Sequence, residues 1–186
     1  MSNLADDLKN ALSSAVSGAG DVVAITRDVV KDNLVSTLKA GGEVATTSLN
    51  TVGKVVTEGV KVASDTGVSV TQAANGLVTG AIEGVKEVGG DIGGTTTEAA
   101  HGAVKSVEEI GGDVGEAAVS AVEGSIKAAH DIGADSGELA KDAVIGALKA
   151  ADEISTEAGG IVRKALLNAA ALPHDIIDAL LTGKTE

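Results

Sequence analysis

An uncharged stripe runs along most of the chain at helical spacing. Steps of four, three and four residues, repeated from Leu4 to Ala169, meet only apolar, small or uncharged polar residues. Charged residues make up 22% of the sequence, so roughly ten of them would fall on this path by chance. The stripe therefore predicts an amphipathic α-helix with one continuous uncharged face.

The stripe belongs to a 22-residue repeat. Residues 80–167 divide without gaps into four units, which begin at Gly80, Gly102, Gly124 and Gly146. Because six helical turns of about 3.67 residues span one such unit, the stripe returns to the same side of a helix without drifting. The repeat predicts an all-α fold, a very long helix of 11-residue (hendecad) units.

The quality of the repeat divides the chain into three segments. The only proline, Pro173, removes a backbone donor and should kink the helix or end it. The predicted segments are a degenerate hendecad helix over 1–79, the regular 22-residue repeat helix over 80–167, and a kinked short helix with a tail over 168–186.

The glycine-rich sequence near the middle of the chain offers an alternative. A helical hairpin that turns near residues 89–97 would place the two halves side by side. However, GGDVG recurs at Gly111 to Gly115 with the phase of the stripe intact. We expect a loop to lose helical register, so the pattern favours the continuous helix over the hairpin.

Glycine content indicates that such a helix needs partners. The chain has 25 glycines and no Phe, Tyr, Trp or Cys, and those glycines cost a helix on the order of 20 kcal/mol relative to alanine. Close packing between helices can offset this cost. We expect copies to associate into a straight or slightly right-handed multi-helix assembly. The predicted interface residues are Val85, Val88, Ile92, Val107, Ile110, Val114, Val122, Ile132, Val144, Ile154 and Val162.

The charges lie opposite the stripe and limit the choice of partners. Lysines precede acids by four residues, as in Lys61–Asp65, Lys105–Glu109 and Lys127–Asp131, which predicts weak pairs along a solvated helix face. The net charge of −13 opposes nucleic acid and anionic bilayers as partners. No signal peptide or long apolar span is recognisable, so we expect a protein that is cytoplasmic or peripheral to a membrane or lipid surface.

The sequence offers little for catalysis or metal binding. VGGDIGG at Val88 to Gly94 lacks the preceding strand and the lysine of a phosphate-binding loop. His101, His130 and His174 lack the spacing of metal ligands on a helix. We therefore expect no enzyme activity, no catalytic residues, no cofactor, no metal site and no small-molecule substrate.

Two resemblances suggest functions. The spacing of the stripe resembles that of hendecad coiled-coil proteins, which implies a structural protein that self-assembles through the stripe into a bundle, tube or filament. TEGVKVASDTG at Thr57 to Gly67 and IEGVKEVGGDIG at Ile82 to Gly93 are similar to the 11-residue repeats of synucleins and perilipins, whose helices lie on lipid surfaces. That similarity implies the alternative, an amphipathic coat on a membrane or lipid droplet.

Overall fold

The computed structural model describes residues 4–18, 20–41 and 46–182, and α-helices dominate them, as the sequence predicts. No strand occurs in these ranges. The predicted tail after Thr182 lies outside the described residues. The helices are α1 Leu4–Gly18, α2 Val22–Gly41, α3 Thr46–Thr66, α4 Val70–Glu87, α5 Ile92–Glu109, α6 Val114–Ile132, α7 Ser136–Ile154, α8 Thr156–Asn168 and α9 His174–Thr182.

A repeated turn ends one helix and begins the next. At the end of α5, Gly111 adopts a φ of 75°, and the amide of Gly112 donates to the carbonyl of Val107 at 2.8 Å. This bond satisfies a carbonyl that the last helical turn leaves without a partner. Two residues after Gly111, the Asp113 carboxylate accepts from the amide of Glu116 at 3.0 Å and so caps α6.

The turn recurs with the period of the sequence repeat. The glycines with positive φ are Gly67, Gly89, Gly111 and Gly133, and the side chains of Ser69, Asp91, Asp113 and Asp135 cap the helices that follow. The single long helix predicted over residues 80–167 is therefore wrong. The predicted hairpin is also insufficient, because its turn, at residues 88–91, is one of a series.

The helices form a two-layer stack. Within the described residues, each helix packs only on its next and next-but-one neighbours along the chain. The even-numbered helices α2 to α8 form one layer, and the odd-numbered helices α1 to α9 form the other. Each helix therefore depends on a few sequence-near neighbours, as in other repeat architectures.

The direction of the helices alternates between the layers. Gly80 lies against Arg27 and Gly84 lies against Lys31, so α2 and α4 run parallel within their layer. Gly59 of α3 lies against Leu77 of α4 across the turn between them, so successive helices run antiparallel. Two successive helices thus make a hairpin, and hairpins stack in the same orientation.

The core lies between and within the two layers and is built mainly from alanine and valine. From α3 to α8 the stripe positions inside the helices are buried, as at Val55, Ala81, Ala103, Ala121 and Val162. In α4 burial extends beyond the stripe to nearly every residue from Ala73 to Val85. The stripe is thus the buried face of each separate helix, covered by other helices of the same chain. The burial of small side chains requires that the helix backbones lie close together.

One glycine in each unit makes that approach possible. At the same repeat position, a glycine faces a backbone carbonyl of the parallel helix. For Gly124, an added Cβ would lie 2.6 Å from the carbonyl oxygen of Asn75. The hydroxyl of Thr79 donates to the carbonyl of Gly124 at 3.0 Å across the same contact. The four facing pairs are Gly80 with Arg27, Gly102 with Gly53, Gly124 with Asn75, and Gly146 with Thr97.

Replacement of a turn glycine distinguishes the stack from a continuous helix. In the stack, Gly111→Ala should lower the free energy of unfolding by roughly 1–2 kcal/mol, because alanine is disfavoured at positive φ. In a continuous helix the same change would raise it by up to about 1 kcal/mol. Urea denaturation followed by circular dichroism measures the sign of the change in the free energy of unfolding. A Gly111→Ala variant that is more stable than the unmodified chain would contradict the turn.

Two glycines at the same repeat position should respond in opposite ways to alanine. Gly124→Ala forces a Cβ against the carbonyl of Asn75, so we expect a loss of roughly 1–3 kcal/mol from overpacking. Gly102→Ala is the matched control, because its nearest neighbour would lie at 3.5 Å, an ordinary contact. The free energy of unfolding of that variant should rise by up to about 1 kcal/mol, because alanine has a higher helix propensity than glycine. Equal denaturation midpoints for the two variants would refute the close approach at Gly124.

Candidate functional site: the charged edge and the open face

The charged edge consists of two bands of acids and bases near the carboxyl ends of the helices, one band in each layer. Because the layers run antiparallel, the two bands lie on opposite sides of the stack. Its pairs join parallel helices of one layer. Lys39 approaches Glu87 at 3.4 Å, and Lys31 approaches Glu83 at 3.7 Å. In the other layer, the pairs are Lys61 with Glu109 at 3.7 Å and Lys105 with Glu153 at 3.6 Å.

These contacts revise the predicted pairing along single helices. Lys127 and Asp131 form the expected pair at 2.9 Å within α6. Lys61 and Lys105 instead bridge to the next helix of their layer, 48 residues further along the chain. The acid that the sequence places four residues after each lysine is therefore not its partner in these two cases. The lysines hold neighbouring hairpins in register.

Glu83 is the most buried ionisable group of the charged edge. Its side chain is 10% exposed, and burial raises the pKa of the Glu83 carboxyl above its ordinary value, although Arg27 and Lys31 partly offset this effect. The pKa of Asp131, its hydrogen-bond partner, is lowered chiefly by the hydrogen bond from Lys127. As the pH falls, Glu83 therefore takes up a proton first and can donate it in a hydrogen bond to Asp131.

His101 forms the corresponding contact in the other layer. Its Nε2 lies 2.9 Å from Oε2 of Glu153, and this hydrogen bond is the main cause of the lowered pKa of the Glu153 carboxyl. The nearby hydroxyl of Ser106 donates to the carbonyl of Gly102 at 2.6 Å, so it is engaged with its own helix. The hydrogen bond between His101 and Glu153 links α5 to α7.

The described ranges contain neither a cluster of metal-ligating residues nor a helix that could cross a membrane. Within them, no group of three or more acids and histidines is placed to hold a metal ion. No described helix combines the length and apolar character that a membrane crossing requires.

The predicted interface residues lie in the core of the chain. The valines at helix interiors are buried, and the residues near helix ends are half-buried against the same core. Contact between copies through the buried members would require the helices to separate. The buried members are Val85, Val107, Val114, Val122, Val144 and Val162, and the half-buried members are Val88, Ile92, Ile110, Ile132 and Ile154.

The apolar side chains that remain accessible lie elsewhere. Ile161 and Leu167 of α8 are 44% and 37% exposed, and Ile145 of α7 is 40% exposed. None of the three lies on the stripe, so a search along the stripe missed them. An isoleucine or leucine outside the stripe is not a sufficient signal of exposure, because Leu139 and Leu166 also lie outside the stripe and are buried.

The open face is the exposed side of α8, the last helix of its layer. It combines apolar residues with one acid and one base. At the other end of the stack, the exposed side of α1 is polar apart from Val16. The open face consists of Glu157, Gly160, Ile161, Lys164, Leu167 and Asn168.

Neutralisation of Glu83 should stabilise the chain in a pH-dependent way. A carboxyl with a raised folded pKa contributes stability below its unfolded pKa, and this stability is lost as the pH rises through the folded value. Glu83→Gln should therefore be more stable than the unmodified chain at about pH 7, and the difference should shrink towards about pH 4.

Denaturation at several pH values measures this effect. Glu87→Gln is the matched control, because Glu87 is 46% exposed and pairs with Lys39. Loss of this ion pair should lower the free energy of unfolding by at most about 1 kcal/mol at neutral pH. A Glu83→Gln variant that loses as much stability as the control at neutral pH would contradict the dominant role of burial.

Comparison with known proteins adds no relative to this description, because no family model, no curated protein and no solved structure matches the chain. Its function must therefore be inferred from its own residues and geometry.

Proposed function

We propose that this chain is a non-enzymatic structural protein that assembles with further copies of itself. The observation that carries the proposal is the open face, where a repeat stack ends on exposed Ile161 and Leu167. A stack of repeats needs a polar end face to remain alone in solution. The exposed side of α1 is polar apart from Val16, whereas the exposed side of α8 carries two large apolar side chains among its polar residues.

The charged edge supports a structural role rather than a catalytic one. Its acids and bases are paired across neighbouring helices, as in Lys39 with Glu87 and His101 with Glu153. Such pairs fix the register of the stack, and they leave the charged groups engaged with each other. The stripe is buried, so assembly into a bundle, tube or filament would proceed through faces that the stack leaves open.

A second candidate function is a coat on a lipid surface. The observation that favours it is the junction of α7 and α8, which consists of Ser155 alone, without the glycine turn of the earlier units. The stripe nevertheless keeps its phase there, from Ile154 to Ala158. If the stack opened on an apolar surface, the chain would present one uncharged face, and its net charge of −13 would favour zwitterionic over anionic lipid.

Solution mass and helicity, measured without and with lipid, distinguish the two functions. We expect a helical chain whose mass by light scattering exceeds 18.1 kDa and grows with protein concentration in the absence of lipid. A chain that stays monomeric at every concentration would refute self-assembly. If the monomer binds zwitterionic vesicles in a flotation assay and its circular dichroism changes on binding, the lipid-coat function would replace self-assembly as the proposal.

A further inference from the structure

We infer that the open face of α8 binds the same face of a second copy in an antiparallel, two-fold arrangement. This inference rests on the proposed self-assembly and names the surface that performs it. The open face is α8's only exposed side, because Ala158, Val162 and Leu166 on its other side are buried against the stack.

The shape of the open face suits another helix. Gly160 has no atom within 4 Å of the position where a Cβ would stand, so it leaves a gap in the surface. The adjacent Ile161 is 44% exposed: its Cγ2 methyl lies near Gly115 of α6, and the rest of the side chain leaves an apolar surface beside the gap. A gap beside a projection allows two identical helices to interlock, with Ile161 of each copy over Gly160 of the other.

The charges of the open face fit the same two-fold axis. If the axis passes between Gly160 and Ile161, residues at equal distances before and after it face each other across the antiparallel pair. Glu157 lies three residues before Gly160, and Lys164 lies three residues after Ile161. Each Glu157 would then face Lys164 of the second copy, which gives two ion pairs for one interface.

Other arrangements of two copies are less favourable. In a parallel pair, Glu157 would face Glu157 and Lys164 would face Lys164, and like charges repel. In a head-to-tail arrangement, Ile161 and Leu167 would meet the exposed side of α1, which is polar apart from Val16. The antiparallel pair places acid opposite base and Ile161 opposite Gly160, and Leu167 reaches past the first residue of α8 in the second copy.

Charge reversal tests the pairing in the full chain. Lys164→Glu alone and Glu157→Lys alone should each raise the dissociation constant, measured by analytical ultracentrifugation, at least tenfold. The double variant, with both reversals, should recover most of the affinity because it restores the opposite charges. Lys54→Glu, an exposed reversal on α3, is the matched control and should leave the constant unchanged.

Disulfide trapping tests the orientation, since the chain contains no cysteine. A mixture of the Glu157→Cys and Lys164→Cys variants should form a covalent dimer on mild oxidation, because facing positions of packed helices bring Cβ atoms within reach of a disulfide. Either variant alone should form little covalent dimer. Cross-linking of one variant alone as efficiently as the mixture would overturn the antiparallel arrangement.

The outcomes separate this inference from the proposed function. If the unmodified chain is monomeric at all concentrations, self-assembly itself fails, and the inference fails with it. If the chain is oligomeric but the single charge reversals leave its dissociation constant unchanged, the chain self-assembles through another surface, and the role of α8 is refuted. Circular dichroism of each variant confirms that a change in mass does not arise from unfolding.

Discussion

The stack depends on how closely parallel helices of one layer approach each other. A core of alanine and valine offers little area per side chain, so it stabilises the chain only if the backbones lie close together. Gly80, Gly124 and Gly146 provide that closeness, since a side chain at each of them would strike a carbonyl of the next helix in the layer. Glycine lowers the stability of each isolated helix. The close helix–helix contact that glycine permits offsets this loss within the same chain.

The helical character of the chain could be predicted from its sequence, and its chain reversals could not be predicted from periodicity alone. A unit of 22 residues fits six turns of one helix, and it equally fits a shorter helix followed by a turn. Only local chemistry separates the two possibilities. Gly111, Gly112 and Asp113 combine a helix-ending glycine with a helix-capping acid, and this signal outweighs the phase of the stripe.

The contacts between helices were harder to predict than the helices. Lys105 has an acid four residues later in the sequence, yet it bridges to Glu153 because the stack places that residue on the adjacent helix. The sequence predicts the stripe as a contact surface between copies, and the stack buries most of it inside one chain. What covers the stripe depends on the turns, and the exposure of Ile161 depends on the position of α8 at the end of its layer.

The alternation of layers has a consequence for how such a chain can lengthen. The units that begin at Gly80, Gly102 and Gly124 each carry a helix-terminating glycine and a helix-capping aspartate, and the same buried stripe serves in both layers. Duplication of one unit within the gene would therefore move every later helix to the opposite layer without exposing its apolar side. Length can change one helix at a time, whereas a repeat with two unlike helices must gain or lose them in pairs.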